Sequence, residues 1–128
     1  MDDSLRSPEI RVVPDTAALY RVGAEAFAAD AQAAVAARGR FAVALSGGST
    51  PKGLFALLAG DPALRARVPW EKLHVFWGDE RPVGPDHADS NYRMAREALL
   101  DHVPIPGAQI FRIRGEAPNT VARRNVMT

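Results

Sequence analysis

Two short polar stretches, each directly after an apolar run, hold the residues of this chain whose types and spacing can do chemistry. The first is Ser46-Gly47-Gly48-Ser49-Thr50-Pro51, which follows Phe41-Ala42-Val43-Ala44-Leu45. Glycines let backbone approach a ligand, the hydroxyls of Ser46, Ser49 and Thr50 can donate to its oxygens, and a helix starting at Pro51 aims unpaired N–H groups at it. A phosphorylated small molecule is the natural guest of such a cradle. The alternative is a tight strand-to-helix turn with ordinary capping; two hydroxyls and two glycines just before a proline-started helix favour phosphate. The second stretch is Gly78-Asp79-Glu80-Arg81-Pro82, after Leu73-His74-Val75-Phe76-Trp77. Asp79 and Glu80 beside Arg81 can hold sugar hydroxyls, activate water or abstract a proton, and pair with phosphate. The alternative there is a solvated charged loop. In an open parallel sheet, ligands gather beyond the carboxyl ends of the strands, so both stretches are expected to face one crevice.

Other chemistries find less support. The glycine loop has neither the G-x-G-x-x-G nor the G-x-x-x-x-G-K-[ST] spacing, so a nucleotide cofactor is not indicated. Ser46 and Ser49 lack the G-x-S-x-G order and a partner histidine for nucleophilic catalysis. His74, His87 and His102 have no metal partner at useful spacing, and Asp86-His87-Ala88-Asp89 reads as a turn and cap, so no metal is expected. Trp70 and Trp77 are read as packing residues, since no basic stripe interleaves with them. Sixteen basic against fifteen acidic side chains give a net charge of +1, which supplies no global field for a nucleic acid or an anionic membrane. Without cysteine there is no disulfide frame, thiolate zinc site or thiol nucleophile. The start, Met1-Asp2-Asp3-Ser4, is not a secretory signal, and no apolar run approaches the roughly 18 residues of a membrane span. The expected location is cytoplasmic.

The elements that must position these residues follow from periodicity. The 128 residues suffice for one domain, and 47% hydrophobic with 24% charged residues is ordinary globular usage. Ile10–Val13 suggests an edge strand. A long helix is expected from a cap at Asp15 to a stop at Gly39, with Leu19, Val22, Ala26, Phe27, Ala31, Ala34 and Val35 inward. The continuous apolar run 41–45 suits a central parallel strand covered on both faces. Next come a helix from Pro51, capped by Ser49 or Thr50, to Gly60, and a short helix over Pro62 to Val68. Strand 73–77 then completes a right-handed βαβ unit. A Gly-, Pro- and Asp-rich loop precedes a helix capped by Asp89 or Ser90, with Tyr92, Ala95, Leu99 and Ala98 inward, and Gln109–Ile113 suggests a further strand.

With these residues in place, Ala44-Leu45-Ser46-Gly47-Gly48-Ser49-Thr50-Pro51, Phe76-Trp77-Gly78-Asp79-Glu80-Arg81 and Ser90-Asn91-Tyr92 resemble the successive motifs of bacterial 6-phosphogluconolactonases. Three ordered motifs are far more specific than one glycine turn. The resemblance implies an α/β fold, a Rossmann-like parallel sheet flanked by helices and cut short. Residues 1–115 would be the N-terminal half of the family's domain and 116–128 a non-matching tail. It implies hydrolysis of 6-phospho-D-glucono-1,5-lactone to 6-phosphogluconate, in the oxidative pentose phosphate pathway, with no cofactor. By position, Gly47, Gly48, Ser49 and Thr50 would bind the phosphate with Arg81 as an anion partner, Asn91 would help shape the site, and Ser46 and Glu80 would complete the substrate-binding set. Asp79 aligns with the carboxylate that related deaminases use as a base. The family also carries, in its second half, a Gly-x-Gly-x-Asp-Gly-His motif whose histidine is assigned as the base. That motif is absent here, and no histidine of this chain stands at its position. The expectation is therefore family membership with weak or no activity as an isolated chain. Two other readings stay open: a sugar-phosphate isomerase or deaminase, in which Asp79 takes a proton from a carbon, and a non-enzymatic phosphate-binding half-domain that pairs with a missing C-terminal half.

Overall fold

The computed structural model describes residues 12–118. In chain order the elements are α1 (Thr16–Arg38), β1 (Phe41–Leu45), α2 (Ser49–Gly60), α3 (Pro62–Arg67), β2 (Leu73–Trp77) and α4 (Asn91–Ala98). Single 3-10 turns occupy Trp70–Lys72, Leu100–His102 and Gly107–Gln109. The helix ends carry their signals in the sequence. Asp15 accepts from the Ala18 amide at 2.8 Å, and Gly39 closes α1 in the left-handed conformation, φ 81°. Asp61 caps α3 by accepting from the amides of Ala63 and Leu64.

β1 and β2 pair in parallel, Phe41 opposite Leu73 through Leu45 opposite Trp77, as the βαβ reading requires. One face, formed by Leu45, Leu73, Val75 and Trp77 with the half-buried Phe41 and Val43, joins Phe55, Leu58 and Trp70 in the core. The other face corrects the expectation of a strand covered on both sides: Ala42 and Ala44 are exposed. A continuous apolar run does not say which face is covered, because alanine costs little free energy in water.

The buried stripe of α1 is also displaced from the expected one. Ala24, Ala28, Ala31 and Ala34 are buried, Val22, Phe27 and Val35 are half-buried, and Leu19 is 43% exposed. Close approach is the reason. Gly23 of α1 faces the Leu54 side chain of α2 with no room for a Cβ, and Gly53 of α2 meets the Tyr20 ring in the same way. Each glycine thus receives a larger side chain of the other helix, and alanines form the buried stripe of α1.

The strand expected over Gln109–Ile113 is not formed. Only a parallel bridge of Ile110 to Val75 exists, with the Phe111 amide donating to the Val75 carbonyl at 2.8 Å. Gln109 serves the edge of β2 with its side chain instead, donating to the carbonyls of Leu73 at 2.6 Å and Glu71 at 3.1 Å. Phe111 stacks on Phe76 at 4.9 Å. The edge strand expected over Ile10–Val13 lies partly outside the described residues; Val12 and Val13 are irregular, and Val12 is 94% exposed. Among the described residues no helix is long and apolar enough to cross a membrane.

Two measurements test this packing. Leu58 is completely buried, so Leu58→Ala should lower unfolding free energy by about 2–5 kcal/mol in urea titrations. The Asp61 carboxyl is held below its ordinary value of 3.8, first by the Leu64 amide and then by Arg21, whose guanidinium bonds it at 3.0 Å. A depressed carboxylate contributes stability that is complete above its unfolded pKa and is lost as pH falls through the lower folded one. Urea midpoints across about pH 7 to pH 2 should therefore fall less steeply on the acid side for Asp61→Asn than for the parent, from a lower neutral value.

Candidate functional site

The parallel register brings the carboxyl ends of both strands to one side, and the Gly78 amide extends the ladder by donating to the Leu45 carbonyl at 3.0 Å. Two helices begin just beyond those ends, α2 after the glycine turn and α4 after the longer loop. Each helix start presents N–H groups with no intrahelical acceptor, and the two starts meet that need differently.

At α4 the acceptors are all protein groups. Ser90 Oγ accepts from the Arg93 amide at 3.1 Å. Glu80 Oε1 accepts from the Asn91 amide at 2.7 Å, and Oε2 from the Tyr92 amide at 3.0 Å. At α2 the cap is Gly48, φ 108°, and no side chain among the described residues caps the helix. Ser49 and Thr50 are already helical, which corrects the expectation that one of them caps a helix starting at Pro51. Their hydroxyls are thus free of the capping task, and their amides are first-turn donors. Pro51 falls in the same turn, where its missing N–H removes no helical bond.

Asn91 joins the two loops. It is 6% exposed, and its side-chain Nδ2 donates to both the carbonyl and Oδ1 of Asp79 at 3.3 Å. Its other side presses on Gly47, where a Cβ would overlap the side-chain amide. The close approach of Asn91 therefore requires glycine at position 47. Ser46, Gly48, Ser49, Thr50, Asp79 and Arg81 are exposed around this junction. Among the described residues no ion pair engages the Arg81 guanidinium, whereas its amide donates to Glu80 Oε1 at 2.8 Å.

The structure thus gathers Gly47, Asp79, Glu80 and Asn91 into one connected cluster with the hydroxyls and Arg81 at its rim. Sequence reasoning missed the Ser90 hydroxyl, which donates to Glu80 Oε2 at 2.9 Å and is 2% exposed. Its position before a helix signalled a cap, but nothing local signalled its carboxylate partner ten residues earlier. A cleft of about 520 Å³ between α2 and α4, lined in part by Lys52, Met94 and Glu97, takes none of the predicted site residues. Its Arg93 is committed to Glu97 at 2.6 Å and to the Asp86 carbonyl at 2.8 Å. The Glu97 hydrogen bond raises the Arg93 pKa and the same bond lowers that of Glu97. No group of three or more metal-ligating side chains occurs among the described residues.

The Gly47 contact yields a direct expectation. Gly47→Ala should displace the Asn91 side chain and cost about 1–3 kcal/mol, the usual penalty of overpacking. Denaturant titration measures the cost, and a moved Asn91 side-chain amide resonance identifies its source; an unchanged resonance would contradict the contact.

The same architecture is found in known proteins. The chain aligns with a 6-phosphogluconolactonase of Nostoc sp. at 46% identity over 104 residues, 81% of this chain and 41% of the relative. One of Synechocystis sp. is 60% identical over 77 residues, 60% of this chain and 30% of that protein. Among solved structures, the 6-phosphogluconolactonase of Trypanosoma brucei superposes with a TM-score of 0.76 at 32% identity, covering 94% of this chain and 47% of that one. A monomeric glucosamine-6-phosphate deaminase shares the fold, TM-score 0.71 at 17% identity, over 89% of this chain and 46% of its own. The chain therefore spans less than half the length of these relatives. Residues 14–126, past Gly115, match the family described as glucosamine-6-phosphate isomerases/6-phosphogluconolactonase, and to that family the chain belongs.

Proposed function

We propose that this chain carries the phosphate-binding and Asp79-bearing part of a 6-phosphogluconolactonase site, acting on 6-phospho-D-glucono-1,5-lactone. The observation that carries the reading is the start of α2, where first-turn amides and the hydroxyls of Ser46, Ser49 and Thr50 lack a side-chain cap and stand beside a loop presenting Asp79 and Arg81. Helix N–H groups and a guanidinium suit a phosphate dianion. In the reaction, water adds to the lactone carbonyl carbon, the ring C–O bond breaks, and the ring oxygen takes up a proton. Asp79, its Oδ1 held by Asn91, offers a carboxylate to the reacting end of the lactone, and the proton of the attacking water goes to the histidine that the family carries in its second half. The resemblance to the lactonases, in sequence and in structure, favours this substrate over an aminosugar phosphate.

We further propose that full turnover needs polypeptide equivalent to the rest of the relatives' length. The exposed Ala42 and Ala44 face supports that, as does the outer edge of β1, which has no partner among the described residues. The work of this chain is then to bind and orient, with the reaction completed in the joined protein.

Titration with 6-phosphogluconate, followed by amide NMR, tests the binding. Shifts are expected at Gly48, Ser49 and Thr50, and Arg81→Ala should weaken affinity about tenfold or more, from loss of a charge-assisted bond. No shift in the cradle would refute the site. Lactone hydrolysis, measured for the chain alone and with the complementary segment of a relative added, should rise on addition and be abolished by Asp79→Asn. Typical turnover by the chain alone would refute the need for a second half.

A further inference from the structure

Glu80 stands between Asp79 and Arg81, a place that suggests contact with the ligand, yet both its oxygens are committed within the protein. Oε1 accepts from the amides of Arg81 at 2.8 Å and Asn91 at 2.7 Å. Oε2 accepts from Ser90 Oγ at 2.9 Å and the Tyr92 amide at 3.0 Å. An ionised carboxylate has about four lone-pair sites and no proton to donate. All four sites are taken, so a sugar hydroxyl finds no acceptor here.

The donors show what the group does. Asn91 and Tyr92 open α4, and a negative charge at a helix N-terminus is favourable. The third first-turn amide, of Arg93, goes to Ser90 Oγ, itself bonded to Glu80. Thus one carboxylate gathers the loop's beginning, at Arg81, and its end, at Ser90 to Tyr92. Asn91 is fixed by its own amide to Glu80, and its side chain in turn holds Asp79.

We propose that Glu80 is a positioning residue: it clamps the loop between β2 and α4 so that Asn91 is held against Asp79, and it does not contact the ligand. The clamp is read from geometry alone; only the identity of the ligand rests on the function proposed above. A consequence is a division within the site. The helix-start donors of the cradle, at Ser49 and Thr50, make no hydrogen bond to Glu80, whereas Asn91, which holds Asp79 and lies against Gly47, depends on it.

The test uses the 128-residue chain with Glu80→Gln, which keeps the size but exchanges one acceptor oxygen for a donor. Amide hydrogen exchange of Asn91 and Tyr92 in the ligand-free protein should speed about tenfold or more, and the Asn91 side-chain amide resonance should move. Affinity for inorganic phosphate should stay within about twofold, while that for 6-phosphogluconate falls about tenfold. Unchanged exchange and an unmoved Asn91 resonance, with weakened 6-phosphogluconate binding, would overturn the proposal and make Glu80 a ligand contact. Ser90→Ala removes one donor and leaves the carboxylate, so it should speed exchange of the same amides by a smaller factor. It keeps the test decisive if Glu80→Gln does not fold, since unchanged exchange in Ser90→Ala would also overturn the clamp. A parent chain that binds neither phosphate nor 6-phosphogluconate would refute the functional reading, while the exchange measurements still decide the role of Glu80.

Discussion

The parallel pairing of β1 with β2 is the constraint on which the rest depends. Parallel strands end on the same side of the sheet, so a turn after one and a loop after the other become neighbours across a single strand spacing. An antiparallel pair would have sent the glycine turn and the Asp79 loop to opposite ends. The intervening helices α2 and α3 make the crossover possible, and close contacts at Gly23 and Gly53 set how closely α2 lies against α1. Everything at the site follows from two strand ends brought side by side.

Beyond those ends the dominant demand is hydrogen bonding of helix N–H groups. A buried donor without an acceptor is costly, so each helix start must find one. At α4 the protein supplies it from Glu80 and Ser90, and both Ser90 and Asn91 can be buried because their polar atoms are engaged. At α2 the exposed glycine cap leaves the first turn to solvent or ligand. The contrast gives the two helix starts different tasks: one fastens a loop, the other is available to an anion.

Much of this was legible in order of residues. The runs 41–45 and 73–77, the glycine turn and the stop at Gly39 each have a local physical cause and appear where that cause places them, and of the two cap candidates, Asp89 and Ser90, the fold uses Ser90. The elements that differed were those decided by neighbours. Periodicity puts Leu19 inward because it cannot distinguish the face that approaches closely from the one beside it; in the fold α1 meets α2 through Gly23 against Leu54 and Tyr20 against Gly53, and its buried stripe is alanine. The Gln109–Ile113 segment makes only one bridge to β2, Ile110 with Val75, and the Gln109 side chain takes the Leu73 carbonyl at the start of that strand. Within the site, the chemistry of Asp79, Glu80 and Arg81 was visible as a set, but the separate employment of Glu80 was not.

Residue order alone supplies the inventory: a glycine- and hydroxyl-rich turn after one strand, a charged loop after the next, and a motif order that resembles one family. These are local properties, because turn conformation, capping and strand propensity act over a few residues. Tertiary structure alone decided who meets whom. Asn91 reaches Gly47 and Asp79, and Glu80 reaches Ser90, Asn91 and Tyr92, through contacts between segments far apart in the chain. The physical reason is that a carboxylate's role is set by the donors surrounding it, and those donors are assembled only when parallel strands and packed helices bring their ends together.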